Sequence, residues 1–91
     1  MKLARVIGRV WATAKDPSLE GRKILLLRPV RPDGAAAGEA YLAVDSVGAG
    51  YGERVLVVDE GGSAGIVLAL PDPPIRTVVV GVVDAVELEV E

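Results

Sequence analysis

The chain has 91 residues, with 10 Lys and Arg against 13 Asp and Glu, a net charge of −3. Half of it is apolar (51%), yet the aromatic residues are only Trp11, Tyr41 and Tyr51. With no Cys and no His there is no disulfide framework, no thiol nucleophile, no imidazole base and no ordinary zinc, haem or iron–sulfur site.

The length fits a single domain spanning 1–91. Apolar runs stop at about seven residues, far short of the roughly 20 that span a bilayer. The opening Met1-Lys2-Leu3-Ala4-Arg5 leads into alternation rather than an apolar signal core. A soluble cytoplasmic domain is expected.

Sixteen Val and four Ile dominate the apolar set and favour a pleated surface. Residues 4–12 alternate, with Val6, Gly8, Val10 and Ala12 opposed to Arg5, Ile7, Arg9 and Trp11. This predicts a strand with one buried face. Residues 22–30 hold Ile24-Leu25-Leu26-Leu27, stopped by Pro29, and predict a second strand covered on both sides. Asp16-Pro17 with Gly21 bounds one turn, and residues 32–38 form another with slack.

Residues 39–47 alternate again, Tyr41, Ala43, Asp45 and Val47 against Ala40, Leu42, Val44 and Ser46. A fourth strand covers 53–59 and is ended by Gly61-Gly62. Residues 63–70 then predict one short helix, with Ser63 as N-cap and Pro71 as stop. Pro71, Pro73 and Pro74 form a stiff connector. The fifth strand covers 76–89, with Gly81 marking a bulge or a barrel corner. The predicted fold is mainly β: a small, closed or nearly closed five-stranded barrel with one short helix between strands 4 and 5. So small a barrel hides only part of this apolar content, so self-association is expected.

Gly48-Ala49-Gly50-Tyr51-Gly52 is the most unusual local feature. Its spacing does not match a dinucleotide or phosphate loop, and a strand follows it where such loops need a helix N-terminus. A tight connection between strands or subunits is the better reading. Asp45, Glu53 and Asp59 match no cation loop and read as solvated or interface carboxylates. Ser46 and Ser63 lack a histidine to activate them, and Lys2, Lys15 and Lys23 sit in polar surroundings. No catalytic residue, cofactor or metal is expected. Arg5, Arg9, Arg22, Arg28, Arg31 and Arg76 give the strands a basic side, which leaves an OB-type single-stranded nucleic-acid-binding module as the alternative. Such modules stack bases on aromatic platforms that this chain largely lacks. Trp11 reads as a core or interface anchor.

Several segments resemble one family in order along nearly the whole chain. They are ARVIGRVWAT (4–13), KDPSLEGRKILLL (15–27), AVDSVGAGYGERVLV (43–57) and VVGVVD (79–84). Together they resemble the bacterial microcompartment vertex proteins, the EutN/CcmL family. The resemblance implies an OB-like barrel that assembles into a cyclic homopentamer at the five-fold vertices of a cytoplasmic microcompartment shell. It implies a structural protein rather than an enzyme, with hexameric and related shell proteins as partners and neither nucleic acid nor membrane. On the matching motif, Asp45, Ser46, Gly48, Ala49, Gly50, Tyr51 and Gly52 are expected at a tightly packed subunit interface. There, side chains at Gly48, Gly50 and Gly52 would clash.

Overall fold

The computed structural model describes residues 1–11, 17–69 and 75–89. Its elements in chain order are β1 (Lys2–Val10), a 3-10 turn (Pro17–Leu19), β2 (Lys23–Pro29), β3 (Tyr41–Asp45), β4 (Arg54–Asp59), α1 (Gly61–Leu68) and β5 (Thr77–Val82). The strands close into a barrel in the order β1-β2-β3-β5-β4, with β4 pairing back onto β1. Every pair is antiparallel except β3 with β5, which run parallel with Val44 beside Val78 and Asp45 beside Val79. Closure removes the free edges that would otherwise recruit other chains.

Neighbouring residues on β3 and β5 serve two cores, because successive side chains point to opposite faces. Ala43 and Val79 turn inward with Ala4, Val6, Leu25, Leu27, Val55 and Val57. Val44 and Val78 turn outward and are covered, with Leu19, by Ala64 and Leu68 of α1. The parallel pair is thus buried on both faces, as parallel strands generally are. Leu27 is fully buried in the barrel interior. Leu27→Ala is expected to lower the unfolding free energy by about 2–5 kcal/mol, read by urea unfolding at fixed protomer concentration.

The helix GGSAGIVL has weak intrinsic propensity, with three glycines in eight residues. What holds it is tertiary: Ala64 and Leu68, four residues apart, pack onto the barrel while Ile66 stays exposed. Two expectations change here. Gly61-Gly62 open the helix as well as following the strand, and the N-cap position belongs to Glu60 rather than Ser63. The Ser63 hydroxyl instead donates to Glu60 Oε1 at 3.3 Å. The helix ends at Ala69, whose left-handed backbone returns its N–H to the carbonyls of Gly65 and Ile66. Arg22 Nη2 donates to the Leu68 carbonyl at 2.9 Å, placing a cation at the helix C-terminus. Pro71, Pro73 and Pro74 lie outside the described residues, as do Ala12 and Lys15.

In β1 the expected face is only partly right. The register jumps between Val6, opposite Leu27, and Gly8, opposite Leu26, so Ile7 is an extra, bulged residue. Beyond it the faces exchange. Arg9 stands opposite the buried Leu25, and Val10 pairs with Ile24 on the outer side. In β2, Leu25 and Leu27 are buried while Ile24 and Leu26 are only half-covered within one chain. The turn at 32–38 is tighter than expected: Arg31 N–H donates to the Ala35 carbonyl at 2.8 Å and Ala37 N–H to the Pro29 carbonyl at 2.9 Å. Asp33 Oδ1 accepts from Ala35 N–H at 2.9 Å. The fifth strand stops at Val82, and residues 83–89 belong to no strand. The bulge expected at Gly81 is present beside it, since Leu56 pairs with Gly81 but Val57 with Val79.

Lys2 Nζ meets Asp59 Oδ2 at 2.9 Å and lies over the Tyr41 ring. That hydrogen bond holds the Asp59 carboxyl below its ordinary pKa and raises that of Lys2. Burial raises the Tyr41 hydroxyl pKa. A lowered carboxylate pKa contributes stability above the unfolded value, about 3.9, and loses it as pH falls through the folded one. Both side chains of the pair are more than two-fifths exposed, so the contribution stays below about 1 kcal/mol. Asp59→Asn is therefore expected to destabilise slightly at neutral pH and not at all near pH 2, as urea unfolding at both values would show.

Candidate assembly interface at the glycine loop

The segment joining β3 to β4 is fastened at nearly every residue. Asp45, at the end of β3, stands opposite Lys23 at the start of β2. Its carboxylate is almost fully buried, with a side-chain exposure of 2%, and pairs through Oδ2 with Lys23 Nζ at 3.2 Å. Oδ1 accepts from the N–H groups of Val47 at 3.0 Å and Gly48 at 3.1 Å, a local turn typical of Asp. Lys23 Nζ also donates to the Ala49 carbonyl at 2.7 Å, so one ammonium clamps both ends of the turn. The Ser46 hydroxyl donates to the Val79 carbonyl at 2.6 Å.

Ala49 is a core residue, buried with Val6 and Leu25. After it the chain reverses: Glu53 N–H donates to the Gly50 carbonyl at 3.2 Å, with Gly52 at φ +84°, the geometry of a type II turn. Glu53 Oε1 accepts from Gly50 N–H at 2.6 Å. Gly52 N–H donates to the Val6 carbonyl and Val6 N–H to the Glu53 carbonyl, both at 2.9 Å. Arg5 Nη1 donates to the Gly52 carbonyl at 2.7 Å. Tyr51, at the tip, has nothing to cover it and is 82% exposed.

Asp45, Ser46, Gly48, Ala49, Gly50, Tyr51 and Gly52 thus form one continuous segment, hydrogen-bonded to itself and to β1, β2 and β5. The glycines have distinct reasons. Gly48 at φ +81° and Gly52 at φ +84° occupy backbone conformations that side chains resist, and an added Cβ there would meet nothing within 4 Å. Within one chain, then, backbone conformation rather than a clash explains them. Gly50 needs no such conformation, and its added Cβ would approach only the Glu53 carboxylate, at 3.2 Å. A groove of about 320 Å³ opens beside the loop between Val6, Leu25 and Tyr51.

Trp11 is not in the core: it is 78% exposed, with the Arg9 guanidinium 4.2 Å from its ring centre. The arginines have separate contacts within one chain: Arg22 caps α1, Arg9 covers Trp11, Arg5 holds the glycine loop, and Arg28 reaches the Gly38 carbonyl at 3.3 Å. Asp45, Glu53 and Asp59 each have their own partner. Among the described residues, no three Asp or Glu side chains are grouped so as to hold a metal ion. The clamp of Lys23 and the grip of Arg5 on Gly52 were not visible in the sequence. The register that sets Lys23 opposite Asp45 is the signal that places the first.

Comparison with known proteins bears on the chain as a whole. Residues 1–84 match the family model EutN_CcmL, described as ethanolamine utilisation protein EutN/carboxysome. The microcompartment shell vertex protein PduN of Salmonella typhimurium is 49% identical over 92% of this chain and 96% of its own length. The carboxysome shell vertex protein CcmL of Nostoc sp. is 40% identical over 98% of this chain and 88% of its own. The solved structure of GrpN, a pentameric microcompartment shell protein from Rhodospirillum rubrum, superposes with a TM-score of 0.85 at 37% identity, covering 98% of this chain and all of that one. These relatives are structural proteins, not enzymes, and the chain belongs to the EutN/CcmL family of shell vertex proteins.

Proposed function

We propose that the chain, a single shell-vertex domain over residues 1–91, assembles as a cyclic homopentamer that caps the five-fold vertices of a bacterial microcompartment shell. The observation that carries this is the match, over essentially the full length of both chains, to a solved pentameric shell protein. The physical features fit. A sheet of hexagonal tiles closes only by admitting five-fold positions, and a head-to-tail interface repeated by a five-fold rotation closes into a ring. The uncovered Tyr51 and Trp11 and the hydrogen-bonded glycine loop suit a surface that another subunit covers. The loop residues from Asp45 to Gly52 are the proposed subunit contact, and hexameric shell proteins are the proposed neighbours at the ring's edge.

A shell vertex places the protein in the bacterial cytoplasm. No helix among the described residues is long and apolar enough to cross a membrane. The alternative of a nucleic-acid-binding module is not favoured, because the relatives are shell vertex proteins and the Trp11 ring carries the Arg9 guanidinium. Co-expression with hexameric shell proteins tests the role. Closed polyhedral shells containing this chain are expected, with open sheets or tubes in its absence. Shells that close equally well without it would overturn the proposal.

A further inference from the structure

We infer that the outer wall formed by β2, β1 and β4 carries a basic strip that receives the acidic segment 84–89 of a neighbouring copy of this chain. The inference rests on the ring proposed above. The antiparallel registers set Arg28 opposite Arg5 and Arg5 opposite Arg54. Directly opposed residues share a face, and Ala4 and Val55, the next pair along, point inward. The three arginines therefore form one row across the outside of three strands, at strand spacings of about 4.8 Å.

Like charges set opposite each other destabilise a sheet unless something neutralises them. The ion pairs among the described residues join Lys2 to Asp59 and Lys23 to Asp45, so no described carboxylate lies within 4.0 Å of these guanidinium groups. Arg5 and Arg28 each spend an N–H on a backbone carbonyl and keep further donors free. Arg54 has no polar side-chain partner among the described residues.

The compensating charge is in the same chain but, among the described residues, is not paired with its own strip. After Arg76 the sequence contains no Lys or Arg, and Asp84, Glu87 and Glu89 follow. Val83 N–H donates to the Arg54 carbonyl at 2.9 Å, and residues 83–89 belong to no strand. Asp84, Glu87, Leu88 and Glu89 are exposed. The molecule measures 48 × 25 × 21 Å. No described carboxylate of the segment pairs with its own chain's strip, whereas the segment can lie on the next subunit's. The strip and the segment are different surfaces, which is the requirement for a head-to-tail contact that closes a ring.

Charge exchange tests this. Arg28→Glu with Arg54→Glu, and separately Glu87→Arg with Glu89→Arg, are each expected to raise the protomer concentration needed for pentamers by at least about tenfold. All four changes together are expected to restore it. Native mass spectrometry over a dilution series reads the assembly, and circular dichroism checks the fold. Because the chain has no cysteine, Arg54→Cys with Glu89→Cys gives a second readout through a flexible bis-maleimide. A ladder of linked subunits is expected. Charge variants that assemble like the parent, no recovery in the fourfold variant, or intact pentamers that yield no ladder would overturn the docking. A parent chain that forms no pentamer would instead overturn the vertex reading itself.

Discussion

Gly50→Leu is expected to leave the barrel folded and to abolish the ring. Within one chain the position is permissive: Gly50 does not need a positive φ, and the atom nearest an added Cβ is the tip of Glu53, a flexible carboxylate. The stability of the isolated barrel should therefore change by less than about 1 kcal/mol. In the proposed interface the same side chain adds four heavy atoms between packed surfaces, where overpacking is poorly tolerated. Gly48 and Gly52 cannot make this separation, because a side chain at φ +81° or +84° strains the loop whether or not a neighbour is present. Circular dichroism melting beside native mass reads both quantities. A folded Gly50→Leu pentamer would remove the loop from the interface.

Lys23→Ala is expected to cause the largest loss of stability outside the barrel core. It leaves the Asp45 carboxylate buried without its cation and frees the Ala49 carbonyl in the same step. Removing one partner of a buried pair typically costs about 3–5 kcal/mol. Lys23 keeps 29% of its side chain exposed, so solvent moderates the loss to about 2–3 kcal/mol. For a domain of this size that lowers the melting temperature by on the order of 10–20 °C, measured at fixed protomer concentration. Lys23→Met, which keeps the stem but not the charge, should lose nearly as much. A Lys23→Ala protein that melts with the parent would show that the clamp contributes little.

Most strands were readable because their pattern is a local property. Val55 and Val57 alternate with half-buried residues, and the run around Leu25 is too short for a confident helix. The errors occur where a distant partner decides. The bulge at Ile7 reverses the inner face of β1, but it exists only in relation to Leu26 and Leu27 on β2. Helix α1 starts before Ser63 because Ala64 and Leu68 gain burial against Val44 and Val78, which outweighs the missing side-chain cap. Alternation carries the expected fifth strand to residue 89, but β5 ends at Val82, because alternation does not supply a strand to pair with. In the loop the glycine spacing drew attention to a segment that the structure fastens by hydrogen bonds. The left-handed backbone at Gly48 and Gly52, and the Lys23 clamp from another strand, became visible only in three dimensions.

The central claim is that this barrel works as one fifth of a ring, and the native mass of the purified chain tests it most directly. Light scattering or native mass spectrometry should give about five times the 9.4 kDa of one chain, stable on dilution. A monomer or dimer at every concentration would contradict the account.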